Sequence, residues 1–127
     1  MPSAYEWAVL RAVPRVDRSE FVNVGVVVYC QALDFLEAQI APDLGRVFAL
    51  DPEVDLDGVR SHLEGVRALC AGLESAGENG RRSAGERFRW IVAPRSTVVQ
   101  PSPVHTGITE APAEELNALF DRMVPCP

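Results

Sequence analysis

The stretch FVNVGVVVYC, residues 21–30, decides the fold. It alternates for half its length and then becomes continuously apolar from Val26. Such a run is typical of a central strand that is covered on one face and partly on the other. Gly25 interrupts the run without a side chain, which indicates a bulge or a close backbone approach. The sheet is therefore expected to be built around this strand.

Two further strands flank it. YEWAVLRAV, residues 5–13, is rich in aromatic and β-branched side chains and is stopped by Pro14. The connection 14–20 joins it to the central strand as a hairpin. DFLEAQIA, residues 34–41, alternates and predicts a third strand. Short connections between consecutive strands predict an antiparallel meander.

The middle of the chain is helical. Residues 42–50 predict a short helix, and a longer one runs from Asp55, a natural N-cap, to about Glu74. Its apolar residues recur at spacings of three and four, which places them on one buried face. They are Leu56, Val59, Leu63, Val66, Leu69, Cys70 and Leu73.

After an exposed connection at 74–86, SAGE forms a capping box that opens a helix through Trp90. Trp90 is assigned to the core, and alternation around it would equally suit a strand. Residues 96–100 predict a fourth strand that ends before two prolines. Thr109 is expected to cap a last helix with Pro112 in its first turn. Its buried stripe comprises Leu116, Leu119, Phe120 and Met123.

These elements predict one α+β domain over residues 1–127. An antiparallel sheet of about four strands, the N-terminal meander plus a late strand, is expected with three to four helices mainly on one face.

Composition limits the function classes. The formal charge of −6 argues against a general nucleic-acid binder. No apolar run approaches the length of a membrane span, and the first residues do not match a signal peptide, which predicts a cytoplasmic protein. Cys30, Cys70 and Cys126 are too far apart for a C-x-x-C pair. No motif for a metal or cofactor is present.

The charges are unevenly distributed. All 12 basic residues are arginines. Five of them lie in Arg81–Arg95, whereas Asp43–Asp57 holds five acids. These two segments are candidate complementary faces within one molecule or between two copies. In the second case they would mediate a homo-oligomer, or make the protein a structural subunit of an assembly.

The hairpin connection holds the first candidate site residues, Arg18 and Glu20, and the start of the central strand adds Asn23. The arginine fork suits carboxylate or phosphate, and a polar triplet before a valine run needs an explanation. The alternative is that Arg18 and Glu20 form only a surface ion pair.

The second candidate segment is APRSTVVQPSPVHTG, residues 93–107. Because a proline fixes the turn before Arg95, its guanidinium and the backbone N–H groups of Ser96 and Thr97 are expected to converge on one anion. His105 is expected in a rigid loop, a setting in which a histidine can serve as a proton-transfer group. The alternative for His105 is a hydrogen-bonded structural role.

We therefore predict a small binding or accessory module in which both segments meet in one Arg-rich polar pocket. The pocket would take a small anionic ligand or an acidic segment of a protein partner. A second hypothesis is an enzyme acting on a phosphate-containing substrate with His105 or Glu20 as acid or base. Standard catalytic motifs are missing from the sequence, which favours the binding module.

The same two stretches resemble an uncharacterised bacterial family of short, stand-alone proteins of unknown function. Its patterns are R-x-E-x-x-N-V-G-V and A-P-R-S followed by S-P-V-H-x-G. The resemblance implies a gene neighbourhood with a HipA-like kinase, and therefore a kinase as partner. The matching residues are Arg18, Glu20, Asn23, Val24, Gly25, Val26, Ala93, Pro94, Arg95, Ser96, Ser102, Pro103, Val104, His105 and Gly107.

Overall fold

The computed structural model describes residues 1–124. Cys126, noted above, lies outside the described residues. The strands are β1 (Ser3–Ala12), β2 (Val22–Cys30), β3 (Phe35–Ile40), β4 (Val99–Pro101) and β5 (His105–Thr109). The α-helices are α1 (Gly45–Leu50), α2 (Leu56–Ala71), α3 (Ala84–Ile91) and α4 (Pro112–Met123), and 3-10 helices span Val16–Arg18 and Glu74–Arg81. Within residues 1–124, no helix combines the length and apolar character that a membrane crossing requires.

The sheet is antiparallel throughout, in the order β3-β2-β1. On the other edge of β1, β5 pairs with its first half and β4 with its last three residues. The predicted α+β class and the N-terminal meander are confirmed. The late part of the sheet is two strands instead of one.

Strand β2 is apolar on both sides because helices cover both faces of the sheet. Helices α1 to α3 pack on one face against Val24 and Val27, and α4 packs on the other against Val26 and Val28. All four valines are at most 1% exposed. Three of the four helices thus share a face, as predicted.

A bulge changes the register of the central hairpin. Leu10 pairs with Gly25, but Arg11 pairs with Asn23, so Val24 is the extra residue. A Cβ at Gly25 would lie 3.0 Å from the carbonyl oxygen of Gln39 on β3. Glycine is required here because the neighbouring backbone approaches so closely.

Ser102 joins β4 to β5 between two prolines. Its amide donates to the Val9 carbonyl and its hydroxyl accepts from the Val9 amide, both at 2.8 Å. Ser102 is 4% exposed. The serine hydroxyl therefore supplies the acceptor that the buried Val9 amide requires at the point where the strand is interrupted.

The capping predictions hold for two helices. Asp55 accepts from the Gly58 amide at 3.0 Å, and Ser83 accepts from the Glu86 amide at 3.3 Å. Thr109 ends β5 and accepts from the backbone amide two residues later, while α4 begins at its proline.

Two core assignments are wrong. Helix α2 ends at Gly72, whose φ of 66° turns the chain outward, so Leu73 is 53% exposed. Trp90 is also 53% exposed, because the buried face of α3 is formed by Phe88 and Ile91. The Phe88 ring stacks on Tyr29 of β2 at a centroid distance of 5.2 Å.

Candidate functional site

The connection between β1 and β2 carries exposed ion pairs. Arg18 Nε lies 2.9 Å from Glu20 Oε1, which confirms the surface pair considered for these residues. Arg15 forms ion pairs with Asp51 and Glu53, at 3.1 and 3.3 Å, and not with the nearby Asp17 of the same connection. Exposed pairs of this kind are worth under about 1 kcal/mol each, so they position the connection more than they stabilise it.

Asn23 and Arg11 form a polar corner beside this connection. Asn23 Nδ2 donates to the Met123 carbonyl at 2.8 Å, which ties β2 to the end of α4. Arg11, paired with Asn23 across the strands, places its guanidinium carbon 4.2 Å from the ring centroid of Phe21. Arg11 Nε and Asn23 Oδ1 are buried without a hydrogen-bond partner, and residues 1–124 contain no other such side-chain atoms. A buried unpaired donor or acceptor costs about 1–3 kcal/mol, so this corner holds two costly unsatisfied polar atoms.

Asn23 also lines a cavity of about 460 Å³ between β2 and α1, which we call the hairpin groove. Phe21, 45% exposed, forms part of its wall. A second cavity of about 220 Å³, lined by Arg18 and Glu20 among others, shares Leu50 with it. The hairpin groove is lined by Phe21, Val22, Asn23, Arg46, Ala49 and Leu50.

The turn after α3 is closed on itself. Arg95 donates to the Trp90 and Ala93 carbonyl oxygens, so its guanidinium caps the end of α3. The Thr97 hydroxyl donates to the backbone oxygen two residues further on, and Ser96 is exposed. The Arg95 guanidinium therefore donates to backbone carbonyl groups of its own chain, whereas the sequence predicts that it binds an external anion.

Arg95 also borders a recess of about 240 Å³ between α2 and α3, together with His62, Gly65 and Trp90. Burial lowers the pKa of His62 below its usual range, and the charge of Arg95 lowers it further. His62 is therefore neutral at physiological pH.

His105 is in a strand, which corrects the predicted rigid loop. It begins β5, pairs with Trp7, and its ring centroid lies 4.6 Å from that of Trp7. Gly107, further along β5, faces Tyr5, and a Cβ there would lie 2.6 Å from the Tyr5 ring. This glycine of the SPVHTG stretch is thus required by packing.

The two predicted segments do not meet in one pocket. His105 is in register with Trp7, four residues from Arg11, which is about 13 Å along the sheet. It is also two strands away from Asn23, about 10 Å across the sheet. Arg95 lies at the recess between α2 and α3, whereas Asn23 is bonded to the end of α4. The structure does not bring the two segments together, because β4 and β5 run the late segment back along β1.

The same separation applies to the proposed acid and base. Glu20 lies in the hairpin connection and is paired with Arg18, whereas His105 lies on β5. Among residues 1–124, no three His, Cys, Asp or Glu side chains are grouped to hold a metal ion. Burial raises the pKa of the Cys70 thiol to about 12, which makes it a poor nucleophile.

The arginine-rich segment Arg81–Arg95 binds mainly within its own molecule. Arg87 donates to the Leu69 and Cys70 carbonyl oxygens at 2.9 and 2.6 Å, which closes the end of α2. Arg89 forms a two-pronged bond with Glu6 of β1 at 3.0 and 3.3 Å. Much of the segment's charge thus fastens α3 to the sheet and α2.

Arg11 and Phe21 are the residues of this region that the sequence analysis missed. Phe21 precedes the valine run as an apolar residue next to charged ones, and Arg11 lies in the partner strand of the hairpin.

Comparisons with known proteins give a family and no function. No curated protein and no solved structure matches the chain. The family model described as "Protein of unknown function (DUF3037)" matches residues 7–124. This match contains the hairpin groove, the polar corner and every predicted site residue, and the chain belongs to the DUF3037 family.

Proposed function

We propose that this protein is a cytoplasmic binding module whose hairpin groove takes an acidic segment of a partner protein through an apolar anchor. The observation that carries the proposal is the polar corner. Arg11 stacks on the exposed Phe21, and its Nε has no hydrogen-bond partner within residues 1–124.

The groove combines apolar walls with cationic groups. Val22, Ala49 and Leu50 supply apolar surface for one aliphatic or aromatic side chain of the partner. Arg46 lines the same groove, and the Arg11 guanidinium lies against the ring of Phe21, which forms part of the groove wall. Guanidinium groups bind carboxylates through charge-assisted hydrogen bonds, which favours aspartate or glutamate next to the anchor.

The polar corner favours a peptide over a free anion. Arg11 Nε offers a donor, whereas Asn23 Oδ1 offers an acceptor. A peptide group satisfies both, because its carbonyl accepts and its N–H donates. A phosphate ion presents mostly acceptor oxygens, so it matches the donor better than the acceptor. The partner expected from the family resemblance is a HipA-like kinase, which would present such a segment.

Calorimetric titration with defined peptides tests this proposal. The probe is a capped octapeptide with four Asp or Glu residues around a central Leu, compared with its Asn/Gln counterpart and with inorganic phosphate. We expect the acidic peptide to bind more tightly than either. Arg11→Gln should weaken binding by about tenfold or more, the cost of one charge-assisted hydrogen bond.

Matched variants separate binding from folding. Arg67→Gln removes an exposed arginine of α2 and should leave affinity unchanged. Phe21→Ala removes an exposed ring and should weaken binding while thermal unfolding stays close to that of the parent. Equal affinity of the acidic and neutral peptides, or full binding by a folded Arg11→Gln variant, would contradict the proposal.

A further inference from the structure

A second surface lies at the other end of the sheet, where β5 forms its edge. β5 pairs with β1 on one side, and no other strand within residues 1–124 pairs with it. Its outward N–H and C=O groups can therefore accept a further strand. This surface is separate from the hairpin groove, since β5 pairs with the first half of β1.

β5 lacks the devices that usually keep edge strands from pairing. Its sequence HTGIT contains no proline, lysine, arginine or acid, and Ile108 is 71% exposed. By contrast, the opposite edge strand β3 carries Glu37 in its middle, and β4 has three residues and ends in Pro101. An uncharged edge with an exposed β-branched side chain is suited to strand addition.

An acidic cavity lies at the end of this edge strand. A cavity of about 720 Å³ between the end of β5 and α4 is lined by Ile108, Glu110, Glu114 and Glu115 among others. None of its lining side chains, all within residues 1–124, is basic. Glu115 accepts from the Tyr5 hydroxyl at 3.3 Å, and Glu110 lies 3.7 Å from the exposed α-ammonium of Met1. Glu110 and Glu114 are exposed.

We propose that β5 receives an extended, basic segment of a partner protein as an added strand. Backbone hydrogen bonds to β5 would hold the segment, an apolar side chain would cover Ile108, and lysine or arginine would face Glu110 and Glu114. A second copy of this chain fits less well, because it would bring a net charge of −6 to a rim that is already acidic.

NMR titration of the labelled full chain tests this proposal. The probe is a capped heptapeptide that alternates Lys with Val, and the control peptide has Glu in place of Lys. The Lys peptide should shift the backbone amide signals of residues 105–109 and slow hydrogen exchange of the outward-facing amides. The Glu peptide should do neither.

Three variants sharpen the result. Glu110→Gln/Glu114→Gln should raise the Kd of the Lys peptide roughly fivefold, as expected for two exposed charge pairs. The matched pair Glu74→Gln/Glu78→Gln, which changes the net charge equally, should leave the Kd unchanged. Ile108→Glu should weaken binding despite its added negative charge, whereas charge attraction alone would strengthen it.

The proposal is overturned if the Lys peptide leaves residues 105–109 unshifted, or if Ile108→Glu binds it more tightly. It is also overturned if sedimentation shows that the free chain dimerises and that Ile108→Glu dissociates the dimer. In that case the occupant of the edge is a second copy.

Discussion

Replacing Ser102 by alanine probes the junction between β4 and β5. The Ser102 hydroxyl is the acceptor for the Val9 amide at 2.8 Å, and Val9 is 2% exposed. Alanine leaves that amide buried without a partner, which costs about 1–3 kcal/mol. The hydroxyl's second bond, to the carbonyl of the exposed Pro103, adds little because water can replace it. We expect Ser102→Ala to lower the free energy of unfolding by about 2 kcal/mol and Tm by roughly 8 °C.

Urea unfolding followed by circular dichroism measures this loss. The control is Ser96→Ala, an exposed serine of the same segment, which should change stability by less than about 0.5 kcal/mol. If Ser102→Ala costs no more than this control, the strand junction does not depend on the serine side chain and our explanation of the SPVHTG stretch fails.

Three further predictions concern single residues. Gly107→Ala should lower the free energy of unfolding by about 1–3 kcal/mol, since its Cβ would lie 2.6 Å from the Tyr5 ring. Gly65→Ala on α2, with nothing within 4 Å, should raise it by about 0.5–1 kcal/mol, and urea unfolding compares the two. Because burial lowers the pKa of folded His62, the unfolded chain takes up that proton first, so stability should fall as pH drops below about 6.5. His62→Gln should flatten this fall in urea titrations, and an unchanged slope would refute the assignment. With a pKa of about 12, Cys70 should resist iodoacetamide in the folded chain at about pH 8 and react in urea, as peptide mass spectrometry can establish.

Local signals in the sequence are sufficient for much of the fold. The valine run of β2 is a local pattern, and Asp55 and Ser83 cap helices by bonding amides three residues further on. Each of these features can therefore be predicted from the sequence. β5 is not, because it follows two prolines and becomes a strand only by pairing with β1, about a hundred residues earlier. The exposure of Trp90 likewise depends on how α3 packs as a whole.

The site was only half predictable for the same reason. Arg18, Glu20 and Asn23 lie within one hairpin, and the structure brings them to neighbouring cavities. Whether this hairpin lies close to His105 depends on the register of β5 against β1, which the sequence does not specify. Arg11 was missed because the bulge shifts its partner by one residue to Asn23.

The side-chain NMR signals of Arg11 and Asn23 test the central proposal most directly. On titration with the acidic octapeptide, the Arg11 Nε–H signal and the Asn23 amide signals should shift together and saturate at one stoichiometry. The Nε–H signal of Arg89, which is bonded to Glu6 elsewhere on the surface, should not move. Saturable peptide binding that leaves the Arg11 and Asn23 signals in place would contradict the assignment of the hairpin groove.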